Sequence, residues 1–255
     1  MDTEALHTER DRSSAPETDG SGTGERSRSV RVPRRLSWRR AGVLGGVCAV
    51  FLLILSQFVM QPFQIPSTSM QPALEVGDRV LVNKLAYRFG SEPRRGDVVV
   101  FDGTGSFVPE DVEENPVSAA AREGLAALGL AEPSDTDFVK RVVGVGGDRV
   151  VCCDKKGRLQ VNGVPVDESY LYAGDAPSHV PFDIVVPQGT LWVMGDHRSK
   201  SRDSRDHLGE PGGGTVPLDR VIGRADWIGW PLDRWSTLPG TGAFDRVTAP
   251  DGAHG

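Results

Sequence analysis

The sequence predicts a mainly β domain held behind a single N-terminal transmembrane helix. Three observations carry that expectation. The 255 residues include 31 glycines and 18 prolines, a density of turn formers that suits short strands better than a helical bundle. Short runs rich in Val and aromatics recur between Gly, Asp and Pro, the pattern of strands closed by turns. No charged residue occurs from Ala41 to Leu74.

Residues 1–40 are polar, rich in Ser, Thr, Glu and Arg and poor in aromatics. They read as a disordered tail that ends in the basic stretch VPRRLSWRR. Ala41–Met60 then matches the ~20 apolar residues a helix needs to cross a bilayer core. The stretch has no polar face, which disfavours a buried core helix. A cleaved signal peptide has a short charged leader and small residues after its apolar run. Here 40 residues precede the run and QFVMQPF ends it. The segment 41–61 is therefore expected to be an uncleaved anchor. Arg34, Arg35, Arg39 and Arg40 put residues 1–40 in the cytoplasm by the positive-inside rule. Residues 62–235 become an extracytoplasmic β-rich domain, and 236–255 a C-terminal tail. Ser69 follows the anchor so closely that it stays within about 30 Å of the membrane.

Strands are expected over Arg79–Leu85, Asp97–Phe101, Phe138–Val143, Arg149–Cys152, Leu159–Val161 and Thr190–Met194. Asn162-Gly163 signals a hairpin turn. A charged, Pro-containing insertion spans about 102–136, and its Ala/Leu-rich stretch Val117–Leu130 predicts a helix. Trp227, Trp230 and Trp235 suit either a core or the headgroup level of a membrane, where Trp is favoured.

The net charge of −6 gives no basic footprint for nucleic acid. Three cysteines are too few for a disulfide framework. Cys48 lies in the apolar run, while Cys152 and Cys153 are adjacent and are either two thiols or a vicinal disulfide. No second Cys or His cluster has ligand spacing, so no metal is expected.

Chemistry is suggested by IPSTSMQPAL, residues 65–74, where Ser67 and Ser69 lie between Pro66 and Pro72. A serine hydroxyl attacks only with a neutral base in hydrogen-bond reach. Arginine does not release its proton in practice, which leaves lysine or histidine. The lysines are Lys84, Lys140, Lys155, Lys156 and Lys200. Lys155, Lys156 and Lys200 sit in polar turns or loops, and Lys84 near a strand end. Lys140, in FVKRVV, shares a strand face with Phe138 and Val142. On a buried face its pKa would fall toward neutrality. Arg141 shares the other face with Val139 and Val143, so one of the two basic residues needs a buried partner. The rival is histidine: MGDHRSKSRDSRDHLG holds His197 and His207 with Asp196, Asp203 and Asp206. That loop suits either a Ser-His-Asp arrangement or an ion-pair network that fixes a turn.

From the anchor to about Trp230 the chain resembles bacterial type I signal peptidases, membrane-anchored serine proteases with a Ser-Lys dyad. Four ordered blocks carry the resemblance: IPSTSMQPAL followed by GDRVLVNK, then RRGDVVVF, then FVKRVVGVGGDRV, then GDHRSKSRDSR followed by VIGRA. The resemblance implies two antiparallel β-sheet lobes, the fold shared with self-cleaving phage-type repressors. It implies Ser69 as nucleophile and Lys140 as general base, with Ser67 joining the Ser69 N–H in an oxyanion hole. Ser201 would hydrogen-bond the lysine, Asp203 and Arg205 would form a supporting ion pair, and Asp196 and Arg198 would brace the site. Ile65, Met70, Leu74, Phe138 and Val139 would line small substrate pockets.

The implied reaction is removal of N-terminal signal peptides after Ala-x-Ala, without metal or cofactor. The expected partners are secreted preproteins and the lipid bilayer, the protein acting as a monomer in the bacterial cytoplasmic membrane. A same-fold peptidase dedicated to one precursor and an inactive membrane-anchored binding domain are the alternatives. Four features depart from the family pattern. His197 stands where Asn is usual, Ser199-Lys200 replace Asp-Asn, Thr68 replaces a common Gly, and GEPGGG (209–214) lengthens the last loop.

Overall fold

Helix α1 (Trp38–Phe58) leads into strand β1 (Met60–Gln64) in a computed structural model that describes residues 38–109, 136–238 and 240–248, with side chains omitted at 53–58. The helix covers most of the stretch expected to be the anchor, and the chain is already extended at Met60. Every described side chain of α1, from Trp38 to Leu52, is exposed. Among the described residues no helix is long and apolar enough to cross a membrane. The helix expected over 117–130 and most of the insertion lie outside the described residues.

The β prediction holds. The remaining strands are β2 (Arg79–Asn83), β3 (Val98–Asp102), β4 (Asp137–Val145), β5 (Arg149–Cys152), β6 (Gln160–Val161), β7 (Val164–Pro165), β8 (Phe182–Val185), β9 (Thr190–Met194), β10 (Val216–Pro217), β11 (Val221–Trp230) and β12 (Ser236–Thr237). They form two antiparallel sheets among the described residues. The larger runs β1-β2-β11-β3-β4-β9-β10, with β12 paired to β11; the smaller runs β7-β6-β5-β8. Strand β4 pairs β9 on one edge, with Arg141 opposite Met194, and β3 on the other, with Lys140 opposite Val99.

Strand β3 shows why its sequence reads VVVF without alternation. Val98 and Val100 pack into one apolar cluster with Phe63, Ile65, Met70 and Leu74. Val99 and Phe101 pack into another with Val142, Leu191 and Val193. A strand buried on both faces carries apolar residues at every position. A third cluster, around Val143, Val150, Leu159 and Trp192, fills the space beneath the small sheet. Asn162 and Gly163 take positive φ (52° and 75°) between β6 and β7, as the turn signal required.

Strand β11 is absent from the sequence reading, yet it lies between β2 and β3. Its VIGRADWIGW carries charges that mask the strand pattern. Gly223 is the reason it fits there: a Cβ would lie 2.5 Å from the Asn83 carbonyl oxygen. Trp227, Trp230 and Trp235 are exposed, which removes the core reading for all three. The stretch after 235, expected as a tail, packs back onto the domain, with Phe244 and Val247 buried in the third cluster. Cys48 is an exposed free thiol and Cys152–Cys153 a vicinal disulfide.

Candidate active site

The IPSTSMQPAL segment follows β1. Ile65 is tied to the chain beyond it, donating its N–H to Asp78 O (2.8 Å) and accepting from Gly77 N–H (2.9 Å). One helical turn follows, closed by Leu74 N–H donating to Met70 O at 2.9 Å. Ile65, Met70 and Leu74 are buried beneath it. Anchoring apolar residues on both sides of Ser67–Ser69 leaves the two hydroxyls at the rim, where Ser67 is exposed and Ser69 is 6% exposed.

Lys140 comes from the middle of β4 and is 4% exposed. Its Nζ lies 3.1 Å from Ser69 Oγ and donates to Val139 O at 3.1 Å. Burial pushes the amine down from 10.5 to about 8, against the nearby carboxylates of Asp203 and Asp196, which favour the charged form. Ser67 Oγ is 3.2 Å from Ser69 Oγ. Two hydroxyls and a partly neutral amine thus converge from segments 71 residues apart.

The second basic residue of FVKRVV has a different fate. Arg141, buried on the opposite face, donates through Nε and Nη2 to the two oxygens of Asp196 (2.7 and 2.6 Å) and through Nη1 to Gly96 O (2.8 Å). Its guanidinium also stacks over Tyr170, 4.5 Å from the ring centre. Arg198, also buried, pairs with Glu168 and donates to Pro177 O (2.7 Å) and Gly195 O (3.0 Å). Arg205 donates to both oxygens of Asp203 (2.8 and 2.9 Å). Burial pushes the Asp203 carboxyl up, but the Arg205 guanidinium and the Gly195 N–H hold it below its usual value. Glu168 is the site neighbour that sequence reasoning missed, and the partner of Arg141 was left open. Arg141 was recognisable as needing a partner; Glu168 lies in the unpatterned stretch DESYLY and gave no signal.

Two of the expected site residues, Ser201 and Phe138, have surroundings of their own. Ser201 is buried, and its hydroxyl makes no hydrogen bond to the Lys140 amine; it lies beside the Asp203 carboxylate and against Gly195. Phe138 sits apart from the other pocket candidates. Val139 packs with Ile65, Met70 and Leu74, whereas Phe138 joins Phe101 and Phe107 on the other side of the strand. Alternation along β4 separates the two.

Neither histidine offers its ring to Ser69. His197 Nδ1 donates to Thr68 O at 3.2 Å, and its ring stacks on Tyr172 with centroids 3.9 Å apart. His207 Nδ1 lies 2.7 Å from Glu210 and its ring stacks on Phe107. The loop's histidines are held by structural partners.

Known proteins similar to this chain point to one family. The family model described as signal peptidase, peptidase S26, matches residues 38–230. The signal peptidase I of Mycobacterium tuberculosis (strain CDC 1551 / Oshkosh) is 38% identical over 248 residues, covering 88% of this chain and 84% of that protein. A probable signal peptidase I of Mycobacterium leprae (strain TN) is 38% identical and covers 81% of each chain. The signal peptidase I of Leptolyngbya laminosa is 35% identical and covers 76% of this chain and 80% of its own. Matched over most of its length by both family and relatives, the chain belongs to the signal peptidase family, peptidase S26.

Proposed function

We propose that the chain is a membrane-anchored type I signal peptidase in which Ser69 is the nucleophile and Lys140 the general base. The observation that carries this is the 3.1 Å approach of the two groups with the amine held near pKa 8. A general base works best when its pKa lies near the operating pH. Neutral Lys140 accepts the Ser69 proton as Oγ attacks the scissile carbonyl. The Ser67 hydroxyl and the Ser69 N–H donate to the resulting oxyanion, a contribution worth about 3 kcal/mol per preorganised donor. The tetrahedral intermediate collapses, the Lys140 ammonium returns its proton to the departing amine, and the mature protein leaves. Water then gives a proton to Lys140 and attacks the acyl-enzyme. Collapse releases the signal peptide as a carboxylic acid and restores the Ser69 hydroxyl.

Buried Ile65, Met70 and Leu74 with half-buried Val139 form an apolar cluster next to Ser69, a surface that suits small apolar substrate residues and supports an Ala-x-Ala preference. Asp196, Arg198, Asp203, Arg205 and Ser201 support the site from behind. The uncharged run from Ala41 and the exposed apolar side chains of α1 support an anchor with residues 1–40 in the cytoplasm and the catalytic domain outside. A site tethered this closely to the bilayer meets its substrate where the preprotein's own apolar segment emerges.

The test is cleavage of a preprotein carrying an Ala-x-Ala site by the detergent-solubilised full chain. Cutting after the second Ala, abolished in Ser69→Ala, is the expected result; undiminished cutting by Ser69→Ala would refute the assignment. A second expectation concerns Gly195. A Cβ there would lie 2.3 Å from Ser201 Oγ and 2.5 Å from the Ser69 carbonyl oxygen. Gly195→Ala should displace the nucleophile segment and lower kcat by about 10²-fold, since misplacements of ~1 Å have effects of that size. Wild-type kcat in a folded Gly195→Ala protein would show that the segment yields without consequence.

A further inference from the structure

His197 makes two contacts with the nucleophile segment, and both fall on peptide groups that flank Ser69. Its backbone N–H donates to Ser69 O at 3.0 Å. Its ring Nδ1 lies 3.2 Å from Thr68 O; a carbonyl only accepts, so Nδ1 carries the proton. The residue is 9% exposed, and its ring plane is fixed by Tyr172, stacked at 3.9 Å and 11°. Tyr172 is itself tied down, donating its N–H to Asp196 O at 3.0 Å.

The Thr68 carbonyl and the Ser69 N–H are the two ends of one planar peptide group. A donor on the carbonyl therefore fixes the direction in which the N–H points. It also polarises the amide, because hydrogen bonds in a chain strengthen one another. The contact on Ser69 O fixes the next peptide plane. With both planes held, the backbone of Ser69 is set on either side of its Cα.

We propose that His197 is a positioning residue for the oxyanion hole, orienting and polarising the Ser69 N–H through the Thr68–Ser69 peptide. The proposal rests on the reading of Ser69 as nucleophile and oxyanion donor. It also joins two departures from the family pattern, since Thr68 and His197 meet in this one hydrogen bond.

The test compares His197→Phe, His197→Asn and wild type in the full chain, on a signal-peptide substrate. Phe keeps a ring against Tyr172 but has no donor. Asn has an amide donor and no ring. Loss of the Nδ1 donor is expected to lower kcat in His197→Phe on the order of 10-fold to 10²-fold with KM unchanged, within the range by which loss of an oxyanion donor or its alignment slows a reaction. His197→Asn is expected to recover most of that loss. A His197→Phe enzyme with wild-type kcat, or one in which only KM changes, would overturn the proposal, as would His197→Asn failing to exceed His197→Phe in kcat. Melting temperatures of the two variants identify any loss caused by unfolding, and kcat is compared per folded molecule. Ser69→Ala, assayed beside them, tests the underlying reading: if it still cleaves, the nucleophile assignment fails, irrespective of His197.

Discussion

Lys140→Met is expected to abolish cleavage and to raise the melting temperature. The two effects have one cause. Burial lowers the amine from 10.5 to about 8, so the folded protein binds this proton less well than the unfolded chain does. Each pH unit of that difference is worth about 1.4 kcal/mol, which puts the destabilisation near 3 kcal/mol. The sign follows from linkage. Below pH 8 the lysine is protonated in both states and the full penalty applies. Between 8 and 10.5 only the unfolded chain holds the proton, so stability rises with pH and the penalty is gone above 10.5. Methionine, of similar length and apolar, removes the penalty. Thermal unfolding at pH 7 and pH 10.5 checks this: the gain should be large at the first and vanish at the second. The wild-type rate should rise with pH through about 8, as the neutral amine accumulates. A Lys140→Met protein that still cuts would move the base elsewhere.

Asp196→Ala should destabilise the fold by about 3–5 kcal/mol, because it strands Arg141 as an unpaired buried charge. Both partners are almost wholly inaccessible, with side chains 3% and 0% exposed, so water does not replace the lost carboxylate. The double change Arg141→Met with Asp196→Leu should recover much of the loss, since apolar pairs often replace buried ion pairs at little cost. Denaturant unfolding of the two single variants and the double gives the coupling directly. Additive losses would show that the pair is not a unit.

These two residues also mark how far the sequence could be read. FVKRVV placed Lys140 and Arg141 on opposite faces, and required one to find a partner. The partner was not legible, because Asp196 is 55 positions away and only sheet pairing between β4 and β9 brings it near. Strands β5 and β9 were readable to the residue, since Val and aromatic runs end there at clear turns. Strand β11 was not: its place between β2 and β3 depends on Gly223 allowing close backbone approach, and its charges break up the apolar pattern of a strand. Ser69 and Lys140 stood out by chemistry. The contacts of His197 were out of reach, because they depend on how loops fold over the sheet, whereas the separation of Phe138 from Val139 follows from the alternation of β4 that the sequence already displayed.

Adjacent basic residues on one strand make alignment itself a checkpoint. Lys140 lies opposite Val99 and Arg141 opposite Val98. A strand paired one residue out of step would exchange them, since successive side chains alternate faces. Ser69 would then meet a guanidinium, which does not give up its proton, while the amine would be left against Asp196. A misthreaded molecule is therefore silent rather than indiscriminate: a slip of one residue takes the base away from Ser69 and puts nothing in its place that can accept the proton.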